Sequence, residues 1–383
     1  MNQQRTELYR QLIQELLKCP LGHESEVLQR NYRLVDEGLV QVISQVGKEL
    51  HADGSEQAGI WLESLSYQLA QKLGLSVLEK TASDLRLASA EKYISCLQAL
   101  LEAEEKDNLH AVYQTMEQHI DSLDIGFVFV LRDWAQAMQT QRPENSAKVA
   151  VLIEHLSIDF CQFSLGNRAS NLEIAIAGFE ISHAIYTQEN NHKSKARVTM
   201  NLAVAYRDRI EGDKAKNIEK AIAAYQQALD FMTQATMPAE WATVVNNLAT
   251  AYLHRIEGNR AENIEQAILG YEKALSVRTR DDMPIKWATT TNNLALAYYS
   301  RIKGDKAENI EKAISAYKQA LQVTTRSSAP VEWAATMMNL AIAYSNRVRG
   351  NRFENIEQAI AAYKQRLKLE LERIDLSSGQ RPR

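Results

Sequence analysis

"NNLATAYLHRIEGNRAENIEQAI", residues 246–268, is followed at 292–314 by "NNLALAYYSRIKGDKAENIEKAI" and at 338–360 by "MNLAIAYSNRVRGNRFENIEQAI". Upstream, residues 200–222 read "MNLAVAYRDRIEGDKAKNIEKAI". The four copies stand forty-six residues apart without insertion, and Asn, Leu, Ala, Tyr, Arg, Gly, Asn and Glu keep their columns throughout. A strict period of this size marks a stacked architecture, in which each unit buries its apolar face only against its neighbours. Columns that serve the stacking must therefore be separated from columns left over for a partner.

The apolar spacing within a copy predicts two helices, over 240–255 and 264–278 in the best-formed one. Gly258 separates them, with Gly212, Gly304 and Gly350 in the same column, and glycine just past a helix takes the left-handed conformation that ends it. Asn217, Asn263, Asn309 and Asn355 precede an Ile-Glu pair and are expected to cap the second helix, with the Glu meeting its dipole. Thr236, Asp282 and Ser328 are expected caps for the next first helix, with Pro238, Pro284 and Pro330 in its opening turn.

Leu248, Ala249 and Tyr252 on the first helix, then Ala267, Tyr271 and Ala274 on the second, resemble the tetratricopeptide repeat (TPR) signature, stretched beyond its usual length of about 34 residues. The "NNLAxAY" form is similar to the repeats of kinesin light chains. The fuller string, "RIxGxxAENIExAI" with a Pro-x-x-Trp opening, resembles bacterial and particularly cyanobacterial arrays, which often precede a CHAT peptidase domain. This resemblance implies an all-α, right-handed superhelix that binds a peptide or protein segment along its first helices. Four clear copies occupy 193–372, and a degenerate fifth, "GNRASNLEIAI" at 166–176, keeps the turn and second helix. There Phe163 replaces the repeated Arg and His155 replaces the Asn.

The expected organisation is a helical N-terminal domain over 1–142, the array over 143–375 and a disordered tail over 376–383. "QRPENS" at 141–146 sets the first boundary, carrying the one proline between Pro20 and Pro238. Arg366 takes the column of Ala228, Ala274 and Ala320, which reads as a polar outer face closing the array.

With 45% apolar residues, 24% charged residues and a net charge of -4, the chain has a soluble composition without the basic excess of a nucleic-acid or anionic-membrane binder. The longest apolar run, "IGFVFVL" at 125–131, is too short to span a bilayer, and the polar start "MNQQRTELYRQ" is no signal peptide. Cys19, Cys96 and Cys161 lie far apart, as expected of reduced thiols in a cytoplasmic chain.

Placing Leu248 at 0° on a wheel of about 100° per residue puts Tyr252 near 40° and Trp241 near 20°, so packing is expected around 40°. Trp241, Trp287 and Trp333 are then expected in the core. Arg209, Arg255, Arg301 and Arg347 fall at the packing edge, where they would hold a neighbouring Glu or the carbonyls of a helix end. Opposite lie Thr243, Asn246, Asn247, Thr250 and His254, with Asn247 near 260°. Asn201, Asn247, Asn293 and Asn339 form a ladder on that face. Its amides would either grip the backbone of an extended peptide or bond neighbouring helices and fix their spacing. The candidate groove comprises Asn201, Asn246, Asn247, Thr250, His254, Asn292, Asn293, Leu296, Asn339 and Arg197. Met200, Val204, Met338 and Ile342 make it apolar, and Arg197 is its single charge, which favours a ligand with one or two apolar anchors over a clamped carboxylate.

No H-E-x-x-H, P-loop or G-x-G-x-x-G motif occurs, and His155 and Cys161 stand six apart, on different sides of a helix. The expectation is a non-enzymatic scaffold without cofactor or metal that binds a protein or peptide, but no nucleic acid and no membrane. The alternative is a regulatory or targeting subunit serving a separately encoded peptidase of the CHAT type.

Overall fold

In the computed structural model, residues 3–19, 24–52, 58–59, 61–62, 65–66, 69, 80–106 and 108–377 are described. All regular structure among them is helical: sixteen α-helices and three short 3-10 turns. The residues divide into two compact units, one of 1–190 with 209–212 and one of 191–208 with 213–383. Residues 378–383, most of the expected tail, lie outside the description.

The first unit begins with α1 (Gln3–Lys18), α2 (Glu24–Arg30) and α3 (Glu37–Ala52). Tyr9, Leu12, Ile13 and Leu16 of α1 recur at one-turn spacing and meet Leu39, Val42 and Ile43 of α3 in a small core. Next come α4 (Lys80–Glu105), α5 (Leu109–Gln118) and α6 (Ile125–Gln141), then the pair α7 (Ser146–Gln162) and α8 (Arg168–Gln188). This last pair is the degenerate repeat. Phe163, in the Arg column, is buried and its ring lies 5.7 Å from that of Tyr113.

The second unit is four antiparallel pairs: α9 (His192–Asp208) with α10 (Lys214–Leu229), α11 (Pro238–His254) with α12 (Arg260–Leu275), α13 (Pro284–Ser300) with α14 (Lys306–Leu321), and α15 (Pro330–Ser345) with α16 (Arg352–Ser377). Within the unit, α11, α13 and α15 each also pack on the second helix before them, so the unit is an all-α solenoid. Ile218, Ala221, Ile222 and Tyr225 of α10 are covered by Val244 and Ala251 of α11. The same columns of α12 and α14 are covered by α13 and α15.

Helix boundaries follow local chemistry, with two corrections. Gly258 has φ +77° and its three equivalents in the unit turns lie at +78° to +82°, as a left-handed helix stop requires. The second helices, however, begin about one turn earlier than expected. Their caps are therefore Asp213, Asn259, Asp305 and Asn351, directly after the glycines, with Asn259 Oδ1 accepting from the Ala261 and Glu262 amides. Asn263, Asn309 and Asn355 are buried inside the first turn instead, where each Nδ2 donates back to the carbonyl of Glu257, Lys303 or Arg349 at 2.8–2.9 Å. At the unit openings, Pro238, Pro284 and Pro330 do start the helices, but the cap positions are Met237, Met283 and Ala329, without side-chain bonds. Thr236, Asp282 and Ser328 instead clasp Thr233, Thr279 and Thr325 across the turn.

The tryptophans need a third correction. Trp241, Trp287 and Trp333 are half-buried, not core, because they lie in the opening turns of the first helices, at the rim of the inter-repeat contact. The Arg280 guanidinium lies 5.7 Å from the Trp287 ring centre.

Candidate functional site

Each repeat is tied to the next by an Arg–Glu fork. Arg255 donates through Nε and Nη2 to the two oxygens of Glu219 at 2.7 Å, Arg301 to Glu265 at 2.8 Å, and Arg347 to Glu311 at 2.7 and 2.8 Å. Within the first unit Arg209 makes the same fork to Glu173, with side chains only 4% and 8% exposed. The fork requires both nitrogens on one edge of a planar guanidinium, which explains Arg rather than Lys in this column. The hydrogen bonds from Arg301 and Arg347 hold Glu265 and Glu311 below the usual carboxylate range. The Glu column thus serves stacking between repeats, a stronger demand than the dipole of its own helix.

The buried arc of α11 is wider than expected, because the helix is sandwiched between α12 and α10. It extends round to Asn246, which is 6% exposed and donates to Asn247 Oδ1 at 3.1 Å. Asn246 is therefore a buried support, not a groove residue. Asn292, in the same column, is half-buried and donates to Asn293 Oδ1, while accepting from Asn339 Nδ2 across α13 and α15, both at 3.4 Å.

Asn201, Asn247, Asn293 and Asn339 are all half-buried. Asn246 and Asn292 donate to the carbonyl oxygens of Asn247 and Asn293, which leaves the amide NH₂ of each available as a donor. Thr250 is committed inside the unit, donating to the Asn246 carbonyl and accepting from Tyr271 Oη at 2.9 Å. His254 is exposed, with Nδ1 2.9 Å from the Thr250 carbonyl. Leu296 is half-buried against the α12 core, and Arg197 is exposed on α9.

Sequence reasoning missed Arg278. Its side chain is 5% exposed and bridges two first helices, donating to Thr243 Oγ1 of α11 and Thr290 Oγ1 of α13 at 2.8 and 2.9 Å. Burial lowers its pKa. The available signal was a broken column, Met232, Arg278, Thr324, in an otherwise regular array.

A separate cavity of about 200 Å³ in the first unit is lined by Glu104, Asn108, Leu109, His155, Ile158 and Asp159. His155 Nδ1 stands 3.2 Å from Glu104 Oε1, so it pairs with a carboxylate and not with Cys161. Burial, then the Glu104 carboxylate and its hydrogen bond, raise Asp159 to about 7. Burial also pushes the Cys96 thiol up to about 12, which removes it as a nucleophile at neutral pH. Among the described residues, no group of three or more His, Cys, Asp or Glu side chains can hold a metal ion. No described helix is long and apolar enough to cross a membrane.

Residues 241–281 and 287–324, which cover α11 with α12 and α13 with α14, match the tetratricopeptide repeat family. These two helix pairs are tetratricopeptide repeats. That repeat is a scaffold for contacts between proteins. Among solved structures, BtubC (BKLC) from P. vanneervenii is similar at 16% identity, covering 63% of this chain and 94% of that one, with a TM-score of 0.35. Nearly identical TPR-like repeats from Podosopora anserina, described as those of a kinesin light chain, are similar at 19% identity over 57% and 97% of the two chains, with a TM-score of 0.41. No curated protein matches the chain. The TPR assignment rests on the matched segments and on the paired helices that carry them.

Proposed function

We propose that the chain is a non-enzymatic scaffold that binds an extended peptide or protein segment along the first helices of its TPR array. The observation that carries this reading is the pair Asn247 and Asn293. Stacking accounts for the buried columns, but it leaves two half-buried amides whose carbonyl oxygens are already engaged and whose NH₂ groups remain available to donate. Such donors suit backbone carbonyls, so they recognise an extended chain whatever its side chains. Half-buried Val204, Leu296 and Ile342 beside them supply apolar pockets for one or two anchors. None of Cys19, Cys96 and Cys161 is in a disulfide, in keeping with a reducing cytoplasm.

The test is a peptide array probed with the full chain, followed by affinity measurement on the best binder. Asn247→Ala with Asn293→Ala should weaken binding by about 1–3 kcal/mol, the cost of leaving ligand carbonyls unpaired. The melting temperature should hardly move. Unchanged affinity with a clear loss of stability would assign the ladder to helix spacing and refute the groove.

A further inference from the structure

The last second helix repeats the buried columns of its predecessors, yet no described residue covers them. Ile264, Ile268 and Tyr271 of α12 are at most 5% exposed, and Ile310, Ile314 and Tyr317 of α14 at most 4%. Their equivalents on α16, Ile356, Ile360 and Tyr363, are 38%, 39% and 41% exposed. Phe353 and Leu367 extend the stripe at 71% and 54%. The expected polar outer face is therefore absent. Arg366 does replace the packed Ala, but it lies back against Met338 Sδ and leaves the stripe beside it open.

Two further columns are left without their usual partners. Glu357 occupies the column of Glu219, Glu265 and Glu311, each of which holds an arginine of the following repeat, and it is exposed. Lys364 occupies the column of Gln226, Glu272 and Lys318, each of which meets a tyrosine of the following repeat, and it too is exposed. The occupant must therefore supply an apolar helix face and a cation placed for Glu357.

We propose that the occupant is a second copy of this chain, with the two α16 helices packed antiparallel about Ile360. The stripe Phe353, Ile356, Ile360, Tyr363, Leu367 has the alternating three- and four-residue spacing with which helices pair. Antiparallel pairing about Ile360 sets Phe353 against Leu367 of the second copy and Ile356 beside its Tyr363. It also brings Glu357 of each copy to Lys364 of the other, so one twofold axis satisfies both orphaned charges twice. The opposite flank, Ala359 and Ala362, is buried, so the second helix seats on the open Glu357–Lys364 side. The stripe amounts to on the order of 400 Å² of apolar surface per copy. Two copies together would bury about 800 Å² through the stripe, which suits a weak, concentration-dependent dimer rather than a standard-size interface.

Light scattering on the full chain, over a wide concentration range, should give a mass twice 43.3 kDa that falls toward the monomer on dilution. Ile360→Glu should raise the dissociation constant roughly 100-fold, since it buries a charge at the twofold axis. Lys364→Glu should raise it roughly 10-fold by setting like charges together, and adding Glu357→Lys should restore it. Circular dichroism of each variant reports folding, and the exposed charge variants keep the test decisive if Ile360→Glu does not fold. A monomer at every concentration overturns the proposal, as does a dimer indifferent to Ile360→Glu or a double charge exchange that fails to restore association. A monomeric chain that captures a different protein through this stripe would also overturn it.

Discussion

Helices α12 and α16 carry almost the same sequence, "NIEQAILGYEKAL" against "NIEQAIAAYKQRL", and yet differ sharply in burial. Tyr271 is 0% exposed and Tyr363 is 41% exposed, although both sit at the same step of the repeat. The difference lies in the neighbour: α13 covers the first, and no described helix covers the second. In a solenoid, burial belongs to the interface between units rather than to the unit. The same residue in the same local structure can therefore be a core residue or an adhesive one.

Paired substitutions put the contrast to the test. Tyr271→Ala should cost about 3–5 kcal/mol, whereas Tyr363→Ala in the dilute monomer should cost less than about 1 kcal/mol. Urea unfolding of both variants checks this, and equal costs would break the comparison. Asn263→Ala, which strips the buried bond to the Glu257 carbonyl, should cost about 1–3 kcal/mol in the same assay. The half-buried Asn247 should cost far less, separating the structural Asn column from the candidate binding column.

The two units should also respond to pH in opposite senses. Asp159 is raised in the folded state, so its contribution is complete below the ordinary carboxylate range and is lost as pH rises through about 7. Asp159→Asn should flatten that decline, a change on the order of 1–2 kcal/mol seen by amide exchange in α4 and α7. Glu265 and Glu311 are depressed, so their stabilisation is present above the ordinary carboxylate range and is lost as pH falls through their lower folded values. Arg301→Ala should lower stability at neutral pH by about 0.5–1 kcal/mol, since the fork is partly solvated, and should weaken the acid sensitivity of the second unit.

Much of this was legible in the columns. Gly258 and its equivalents announced the turns because only a residue without Cβ takes a left-handed φ at no cost. Arg255 was expected to find a neighbouring Glu or a helix-end carbonyl, and it found Glu219. The caps were misplaced because Asn259 and Asn263 are both good cap residues and the true helix start decides between them. Trp241 was misread because a wheel describes one helix, whereas exposure at a helix start depends on where the adjoining turn runs. Asn246 was placed in the groove for the same reason. A second neighbour, α10, widened the buried arc beyond what one partner would cover.

The sequence by itself determined the period, the helix pairs, the turn glycines and the class of fold, because those depend on local spacing and backbone sterics repeated at every step. Tertiary structure alone decided which identical residues are buried. It also decided which carboxylates have a guanidinium within reach, that Arg278 bridges two first helices, and that Glu104 and burial together raise Asp159. Those outcomes depend on residues brought together from different repeats or different helices, and no column records its neighbour's position. Desolvation and ion pairing act only across that distance in space, so the face left open on α16 became visible only once the helices were stacked.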